Sequence, residues 1–118
     1  MNDTKLTDLH QFTGTTQWYR HPLNRNVLFT DGAKYVADHA GAYWLLDEIA
    51  LAQISHLPVR AEAFQVWKLD VQDGSGTLTC TDGNDGLVYT KDIPFTDFPA
   101  CGVALWFTDG VILLPTEY

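Results

Sequence analysis

The sequence predicts an α+β fold, in which N-terminal helices pack on one face of an antiparallel meander of about five strands. Two observations carry this prediction. Apolar residues recur every three or four positions in the first half of the chain and every second position in the second half, and Asp-Gly pairs separate the later segments. The 118 residues, 46% of them hydrophobic, are sufficient for one domain spanning residues 1–118.

The first helix is predicted close to the N-terminus. Thr4 is a suitable N-cap, the apolar residues Leu6, Leu9 and Phe12 are three positions apart, and Gly14 is a natural stop. The following residues 17–20 are predicted to be extended, since aromatic side chains favour strands. A turn rich in proline and asparagine comes next.

The strongest helical signal runs from Asp31 to Ser55, a stretch without proline that is rich in alanine and leucine. Thr30 is its predicted N-cap. Gly41 lies within the pattern, and glycine in a helix interior costs about 1 kcal/mol relative to alanine. Two helices separated at Gly41 are therefore predicted, with Pro58 marking the end of the helical region.

Five strands are predicted from the period of two, covering residues 65–71, 77–81, 87–90, 103–107 and 111–114. In the second strand Leu78 and Cys80 should point inward and three threonines outward. Asp-Gly pairs between the segments favour the positive φ angles of tight hairpins, so consecutive strands should pair antiparallel. One face of the sheet should then pack on the helices while the other meets water.

The charge excludes several classes of function. Fifteen acidic residues against seven basic ones give a net charge of −8. Phosphate-driven binding of nucleic acids and binding to anionic membranes are therefore not expected, whereas a basic partner, a metal ion or solubility alone would each suit this charge. The first residues do not form a signal peptide, and the apolar runs are too short to span a bilayer. The expected location is the cytoplasm.

Neither a cofactor nor a structural metal or disulfide is expected. Cys80 and Cys101 are interpreted as small apolar residues of the core. The segment 82–86 resembles a calcium loop only superficially, because its glycine comes fifth and no glutamate stands at the twelfth position. The histidines form no short ligand motif, and Ser75 lacks the spacing of a nucleophile elbow. No catalytic residues are predicted.

One candidate ligand or partner surface is the run Trp18, Tyr19, Arg20 and His21, which combines two aromatic rings, a cation and an imidazole. Such a group could stack on a planar ligand or anchor a partner. Together with an acid such as Asp31 it could serve a small-molecule-binding protein or an enzyme. It could equally cover one end of the core.

A second candidate is the loop at residues 93–99, which carries Phe95 and Phe98. Loops of this composition fold back over a core or, where their aromatic side chains are exposed, form an apolar patch for a partner. The sequence leaves both outcomes open for the two phenylalanines.

Several segments resemble a known family. They are Gln11–Thr15, Trp18–His21, Phe29–Tyr35 and Ala40–Asp47. In these segments the chain is similar to small bacterial proteins grouped as the domain of unknown function DUF6876, and the resemblance extends over nearly the whole length. It implies a stand-alone bacterial protein of the cytoplasm, encoded among plasmid-borne or phage-related genes. It implies no catalytic residues.

The leading functional hypothesis is a non-enzymatic protein-interaction module. The alternatives are a small-molecule-binding protein or enzyme using the region 18–21, and an acidic mimic of nucleic acid. A homodimer is also predicted, through the apolar strands Val103–Phe107 and Val111–Leu114, because one of them should be the exposed edge of the meander.

Overall fold

A computed structural model describes residues 17–84 and 86–118 of the chain, so the helix predicted between Thr4 and Phe12 lies outside the described residues. The strands are β1 (Trp18–Arg20), β2 (Leu28–Thr30), β3 (Phe64–Gln72), β4 (Ser75–Thr81), β5 (Leu87–Ile93), β6 (Val103–Thr108) and β7 (Val111–Leu113). The helices are α1 (Asp31–Ala40), α2 (Tyr43–Ser55) and α3 (Leu57–Arg60), with a final 3₁₀ turn at Pro115–Glu117. No helix in this part of the chain is long and apolar enough to cross a membrane.

All seven strands form one mixed sheet in the order β1-β2-β7-β6-β3-β4-β5, so the predicted five-stranded antiparallel meander is wrong. Strands β2 and β7 run parallel, with Leu28 opposite Val111. The described helices lie between β2 and β3 in the chain rather than before the whole sheet. Strands of three residues are too short to show a period of two. Strand β2 also pairs with β7, which is distant in the chain, so no local sequence signal could indicate this pairing.

The sheet order also changes the expected edges. Strand β7 lies between β2 and β6, and β6 lies between β7 and β3, while β1 and β5 form the two edges. The premise that Val103–Phe107 or Val111–Leu114 is an exposed edge is therefore wrong, because β2 occupies the open side of β7. The homodimer remains a prediction without this argument.

The helical region divides as predicted. Thr30 Oγ1 accepts a hydrogen bond from the Ala33 N–H at 3.2 Å and caps α1. Gly41 ends α1 in the left-handed conformation, at φ 60°, and its N–H reaches the Ala37 carbonyl. The predicted break at Gly41 is confirmed, and α2 starts two residues later.

Two of the predicted Asp-Gly turns are tight hairpins. Asp73 and Asp109 have φ 53°, and the glycines that follow them have φ 78°. Positive φ at both central residues is typical of type I′ turns, which match the twist of the strands that they join. These turns connect β3 to β4 and β6 to β7.

The core lies between the three helices and one face of the sheet. Strand β4 points Leu78 and Cys80 into it and its threonines away, as predicted. The most deeply buried sheet residues include Trp67, Leu69, Leu78, Leu105 and Ile112, and the helices add Val36, Leu45, Leu46 and Ile49. This arrangement leaves the other face of the sheet without a helix among the described elements.

The final 3₁₀ turn is hydrogen-bonded to the start of α1. The buried Glu117 carboxylate accepts hydrogen bonds from Thr30 Oγ1 at 2.6 Å, from the Gly32 N–H at 3.0 Å and from the Leu114 N–H at 2.8 Å. A negative charge at a helix N-terminus is stabilised by the helix dipole. A Cβ at position 32 would lie 2.6 Å from Glu117 Oε1, so only glycine leaves room for this contact.

Candidate functional site

The predicted cluster at residues 18–21 is dispersed by its own strand. Successive side chains of a strand point to opposite faces, and β1 therefore sends Trp18 and Arg20 to one side of the sheet and Tyr19 to the other. Trp18 is 61% exposed. Arg20 donates from Nη1 to the Arg25 carbonyl of the adjoining turn. The four side chains therefore do not form one surface.

Tyr19 and Asp31 do come together. The Tyr19 hydroxyl lies 3.2 Å from Asp31 Oδ1, and its ring stacks on Phe29 with 5.6 Å between centroids. Lys34 Nζ lies 5.5 Å from the centre of the Tyr19 ring. Desolvation, followed by the hydrogen bond to Asp31, raises the pKa of Tyr19 above its ordinary value. The phenol therefore stays protonated at neutral pH and donates a hydrogen bond to the carboxylate.

His21 belongs to the core rather than to a binding surface. Its side chain is 1% exposed. The backbone N–H groups of Leu23 and Asn24 donate to Nδ1 at 3.1 and 3.2 Å. Because Nδ1 accepts two hydrogen bonds, the ring proton is on Nε2, which donates to Asp47 Oδ1 at 2.8 Å. The ring thus fastens the turn after β1 to helix α2 and is inaccessible to a ligand.

The two phenylalanines of the loop at 93–99 have opposite environments. Phe98 is 4% exposed and packs in the core, whereas Phe95 is 89% exposed. The loop between them is fixed by hydrogen bonds from the Thr96 N–H to the Gly74 carbonyl at 2.8 Å and from the Phe98 N–H to Thr96 Oγ1 at 3.1 Å. Phe95 is therefore an exposed aromatic side chain on an anchored loop.

Phe95 borders an open groove with a volume of about 560 Å³. The other residues that line it are Gly41, Trp44, Gly74, Ile93, Thr96 and Asp97. Gly41 and Trp44 come from the α1–α2 turn and the start of α2, and Gly74 comes from the β3–β4 hairpin. Ile93 ends β5, and Thr96 and Asp97 belong to the loop that follows it. Trp44 and Ile93 are half-buried. We call this surface the Phe95 groove. It is the candidate functional site.

Sequence reasoning missed Trp44 as a site residue, because helix α2 is apolar on more than one side and Trp44 looks like another core position. The feature that could have indicated Trp44 is its position in the first turn of α2, directly after the break at Gly41 and next to Tyr43, which is exposed. Tryptophan and tyrosine are enriched among the side chains that carry most of the binding energy of interfaces.

The electrostatics of the groove are acidic. Asp97 lines it, the exposed Asp73 precedes Gly74, and the described lining contains neither lysine nor arginine. Lys91, on the same strand as Ile93, is paired with Glu48. The groove thus combines apolar rings with negative charge.

A second apolar surface lies on the sheet face that points away from α1–α3. The strand register places Leu28, Val111, Thr108 and Phe64 in one row and Leu113 and Trp106 in the next. Phe64, Trp106 and Tyr118 pack edge to face, with centroids 5.1–5.6 Å apart. A groove of about 490 Å³ runs between Trp18 and Tyr118. We call the surface formed by Trp18, Leu28, Phe64, Trp106, Val111, Leu113 and Tyr118 the sheet-face patch.

The two cysteines differ, although both were predicted to be core residues. Cys80 is buried, but Cys101 is exposed because it follows the turn at Pro99 that closes the long loop. Burial, reinforced by the charges of Glu62 and Asp82, raises the pKa of the Cys80 thiol to about 12. No group of three His, Cys, Asp or Glu side chains within residues 17–84 and 86–118 is placed to hold a metal ion.

We expect a thiol reagent at mildly alkaline pH to modify Cys101 rapidly and Cys80 only when the protein unfolds. The thiolate is the reactive form, and the raised pKa together with burial keeps Cys80 protonated and inaccessible. Mass spectrometry of the labelled peptides measures both rates. In the Cys101→Ser variant, rapid labelling of the native protein would contradict the assigned burial of Cys80.

Comparison with known proteins identifies the family. A family model described as a family of unknown function, DUF6876, matches residues 3–118. No curated protein and no solved structure matches the chain. The matched range includes the residues of both the Phe95 groove and the sheet-face patch. The chain is a member of the DUF6876 family.

Proposed function

We propose that this protein is a bacterial, cytoplasmic protein-interaction module that binds a basic partner segment in the Phe95 groove. The single observation that carries the proposal is the 89% exposure of Phe95 on a loop that is anchored on both sides of it, by strand pairing at Ile93 and by the hydrogen bonds of Thr96. An exposed aromatic ring gains more from burial at an interface than any other feature of this surface.

The fixed loop matters for affinity. A side chain that is already held in place loses little conformational freedom on binding, so more of the free energy of burial appears as affinity. Gly74, at the tip of the β3–β4 hairpin, accepts the loop hydrogen bond, and Phe98 inserts into the core beside it. Phe95, which lines the groove together with Trp44 and Ile93, thus resembles the preformed aromatic centres at which interfaces concentrate their binding energy.

The charge indicates the chemistry of the partner. The chain carries a net charge of −8, Asp97 lines the groove and Asp73 adjoins its lining residue Gly74. Complementary charge accelerates association and disfavours wrong partners. The segment that fits is therefore one with an apolar or aromatic centre flanked by lysine or arginine.

Selection of random short peptides displayed on phage against the immobilised full chain tests this proposal. The enriched peptides are expected to carry an aromatic or aliphatic centre between basic residues. The Phe95→Ser variant is expected to lose their binding by at least about tenfold, since truncating a central aromatic anchor removes more than about 1.4 kcal/mol. Fluorescence anisotropy of a labelled enriched peptide measures the affinity.

Leu87→Ser is the matched control, because Leu87 is 63% exposed on β5 and does not line the groove. It should bind the peptides like the unaltered protein, and both variants should melt at the unaltered temperature. Enriched peptides that bind Phe95→Ser equally well, or that are acidic, would contradict the proposal. Light scattering that shows a dimer lost on Phe95→Ser would instead assign the groove to a second copy.

A further inference from the structure

A third cavity lies where the turn after β1 meets the ends of α2 and α3. Its volume is about 340 Å³, which lies near the lower end of the range found for sites that bind small molecules. The side chains that line it are Asn24, Asn26, Val27, Gln53, Ile54, Arg60 and Phe107. We call it the Arg60 cavity. It shares no lining residue with the Phe95 groove or with the groove of the sheet-face patch.

The Arg60 cavity differs in charge from the other cavities of the described chain. Among the residues that line it there is an arginine and no carboxylate. Acidic side chains line the Phe95 groove, the groove of the sheet-face patch and a further cavity, in which Glu48 pairs with Lys91. In a chain with a net charge of −8, the Arg60 cavity is therefore a place that favours a negatively charged group.

Two polar side chains of the cavity have unused hydrogen-bonding capacity. Arg60 is exposed at the end of α3, and within residues 17–84 and 86–118 its guanidinium forms neither an ion pair nor a hydrogen bond. The side-chain amide of Asn26 is also without a hydrogen bond in this part of the chain, since only its backbone N–H is bonded. A guanidinium presents its donors in a planar fork that matches a carboxylate, and an amide can add one more donor.

The other two polar side chains are already held in place. Asn24 Nδ2 donates to the Ala50 carbonyl at 2.8 Å, and Asn24 Oδ1 accepts from the Asn26 N–H at 3.2 Å. Gln53 Nε2 donates to the Ile49 carbonyl at 3.1 Å. Because these bonds connect the turn to α2 and fix the amides, the cavity is formed before a ligand binds and loses little conformational freedom on binding.

The remaining lining is apolar. Val27 and Phe107 are buried, whereas Ile54 is 58% exposed near the end of α2. A ligand with a hydrocarbon part would remove the Ile54 side chain from water, which is favourable. Phosphoryl groups are typically bound by helix N-termini or by several donors and cations, whereas a single guanidinium suits the single charge of a carboxylate.

We propose that the Arg60 cavity binds a small carboxylic acid. The Arg60 guanidinium and the Asn26 amide hold the carboxylate, and the hydrocarbon part of the acid lies against Ile54 and Phe107. This site is separate from the Phe95 groove, so the binding of the acid does not depend on the binding of a protein partner there.

An NMR titration of the isotopically labelled full chain with benzoate tests this site. Saturable shifts of the Asn26 side-chain amide and of the Arg60 Nε–H are expected, with a dissociation constant of about 1 mM, which a ligand of this size can reach. Arg60→Gln is expected to weaken binding by at least about tenfold, because a charge-assisted pair of hydrogen bonds is lost. Benzamide, which has the shape of benzoate without its charge, should not saturate the site at the same concentrations.

Lys68→Gln is the matched control, because Lys68 is exposed on β3 outside the cavity and the variant loses the same charge. It should bind benzoate like the unaltered protein, and both variants should melt at the unaltered temperature. The proposal would be overturned if benzoate gave no saturable shift, or if Arg60→Gln or benzamide bound equally well. Tighter binding of phenylphosphonate, or of a peptide through its C-terminal carboxylate, would assign the cavity to a different ligand and would also overturn it.

Discussion

Replacing Gln65 by leucine is expected to lower the free energy of unfolding by about 2–4 kcal/mol, although leucine is similar in size and more hydrophobic. Gln65 is fully buried. Its Oε1 accepts from the Trp67 indole N–H at 2.9 Å and from Gln53 Nε2 at 2.8 Å. Its Nε2 lies 2.8 Å from the Val59 carbonyl and 3.1 Å from that of Glu62.

The cost comes from the groups that leucine leaves behind. A buried donor or acceptor without a partner costs about 1–3 kcal/mol. The substitution leaves the indole N–H of Trp67 and the carbonyl of Val59 without their hydrogen-bond partner. Leucine removes the cost of burying the amide itself, which keeps the expected total below the sum of the parts. The Val59 carbonyl belongs to α3 and the Glu62 carbonyl to the link between α3 and β3, so the variant also loosens the connection from that helix to β3.

Chemical denaturation measures the effect, provided that the dependence of the unfolding free energy on denaturant stays unchanged. Gln53→Leu is the matched control. Gln53 is only half-buried, and its removal leaves the bonds from Gln65 to Trp67 and Val59 in place, so a loss of about 1 kcal/mol is expected. A Gln65→Leu variant as stable as Gln53→Leu would show that the network does not stabilise the fold.

The sequence predicts those elements whose signals are local. Strands β3 to β7 are predictable because each shows its own pattern or lies beside an Asp-Gly turn, and α1 and α2 because Gly41 interrupts a long periodic stretch. The pairing of β2 with β7 could not be predicted. It depends on contacts between two segments that are far apart in the chain, and the three residues Leu28–Thr30 are too few to specify a partner.

The candidate site was predicted in part. The loop at 93–99 was recognised, but two phenylalanines three positions apart gave no indication of which one is buried. That outcome depends on the hydrogen bond from Thr96 to Gly74, a contact between a loop and a hairpin distant from it in the chain. Gln65 presents a related difficulty. Its position in β3 places it on the same face as Trp67, but a polar side chain is expected to be exposed, whereas Gln65 lies in the core.

His21 shows why a cluster of reactive residue types can be structural. Imidazole, aromatic and cationic side chains adjoin one another in the sequence, but strand alternation and the turn after β1 separate them. The tautomer of His21 is set by two backbone N–H groups, those of Leu23 and Asn24, which need an acceptor inside the protein. His21 thus has two hydrogen-bonding functions, as an acceptor at Nδ1 and as a donor at Nε2, and different substitutions remove them separately.

His21→Ala is expected to lower the free energy of unfolding by about 3 kcal/mol, because it leaves a cavity and deprives two backbone N–H groups of their acceptor. His21→Asn is expected to cost only about 1 kcal/mol, since the Asn Oδ1 can take the place of Nδ1. His21→Gln retains a donor toward Asp47 but not the acceptor for the two backbone N–H groups, and a loss of about 2 kcal/mol is expected.

The expected order follows from solvation. The Asp47 side chain is 41% exposed, so water can replace the lost imidazole, whereas water does not reach the N–H of Asn24. Asp47→Asn, the matched control, should cost less than about 1 kcal/mol. Denaturation curves of the four variants give the order, and a His21→Gln variant more stable than His21→Asn would show that the contact with Asp47, rather than the turn, is what His21 supplies.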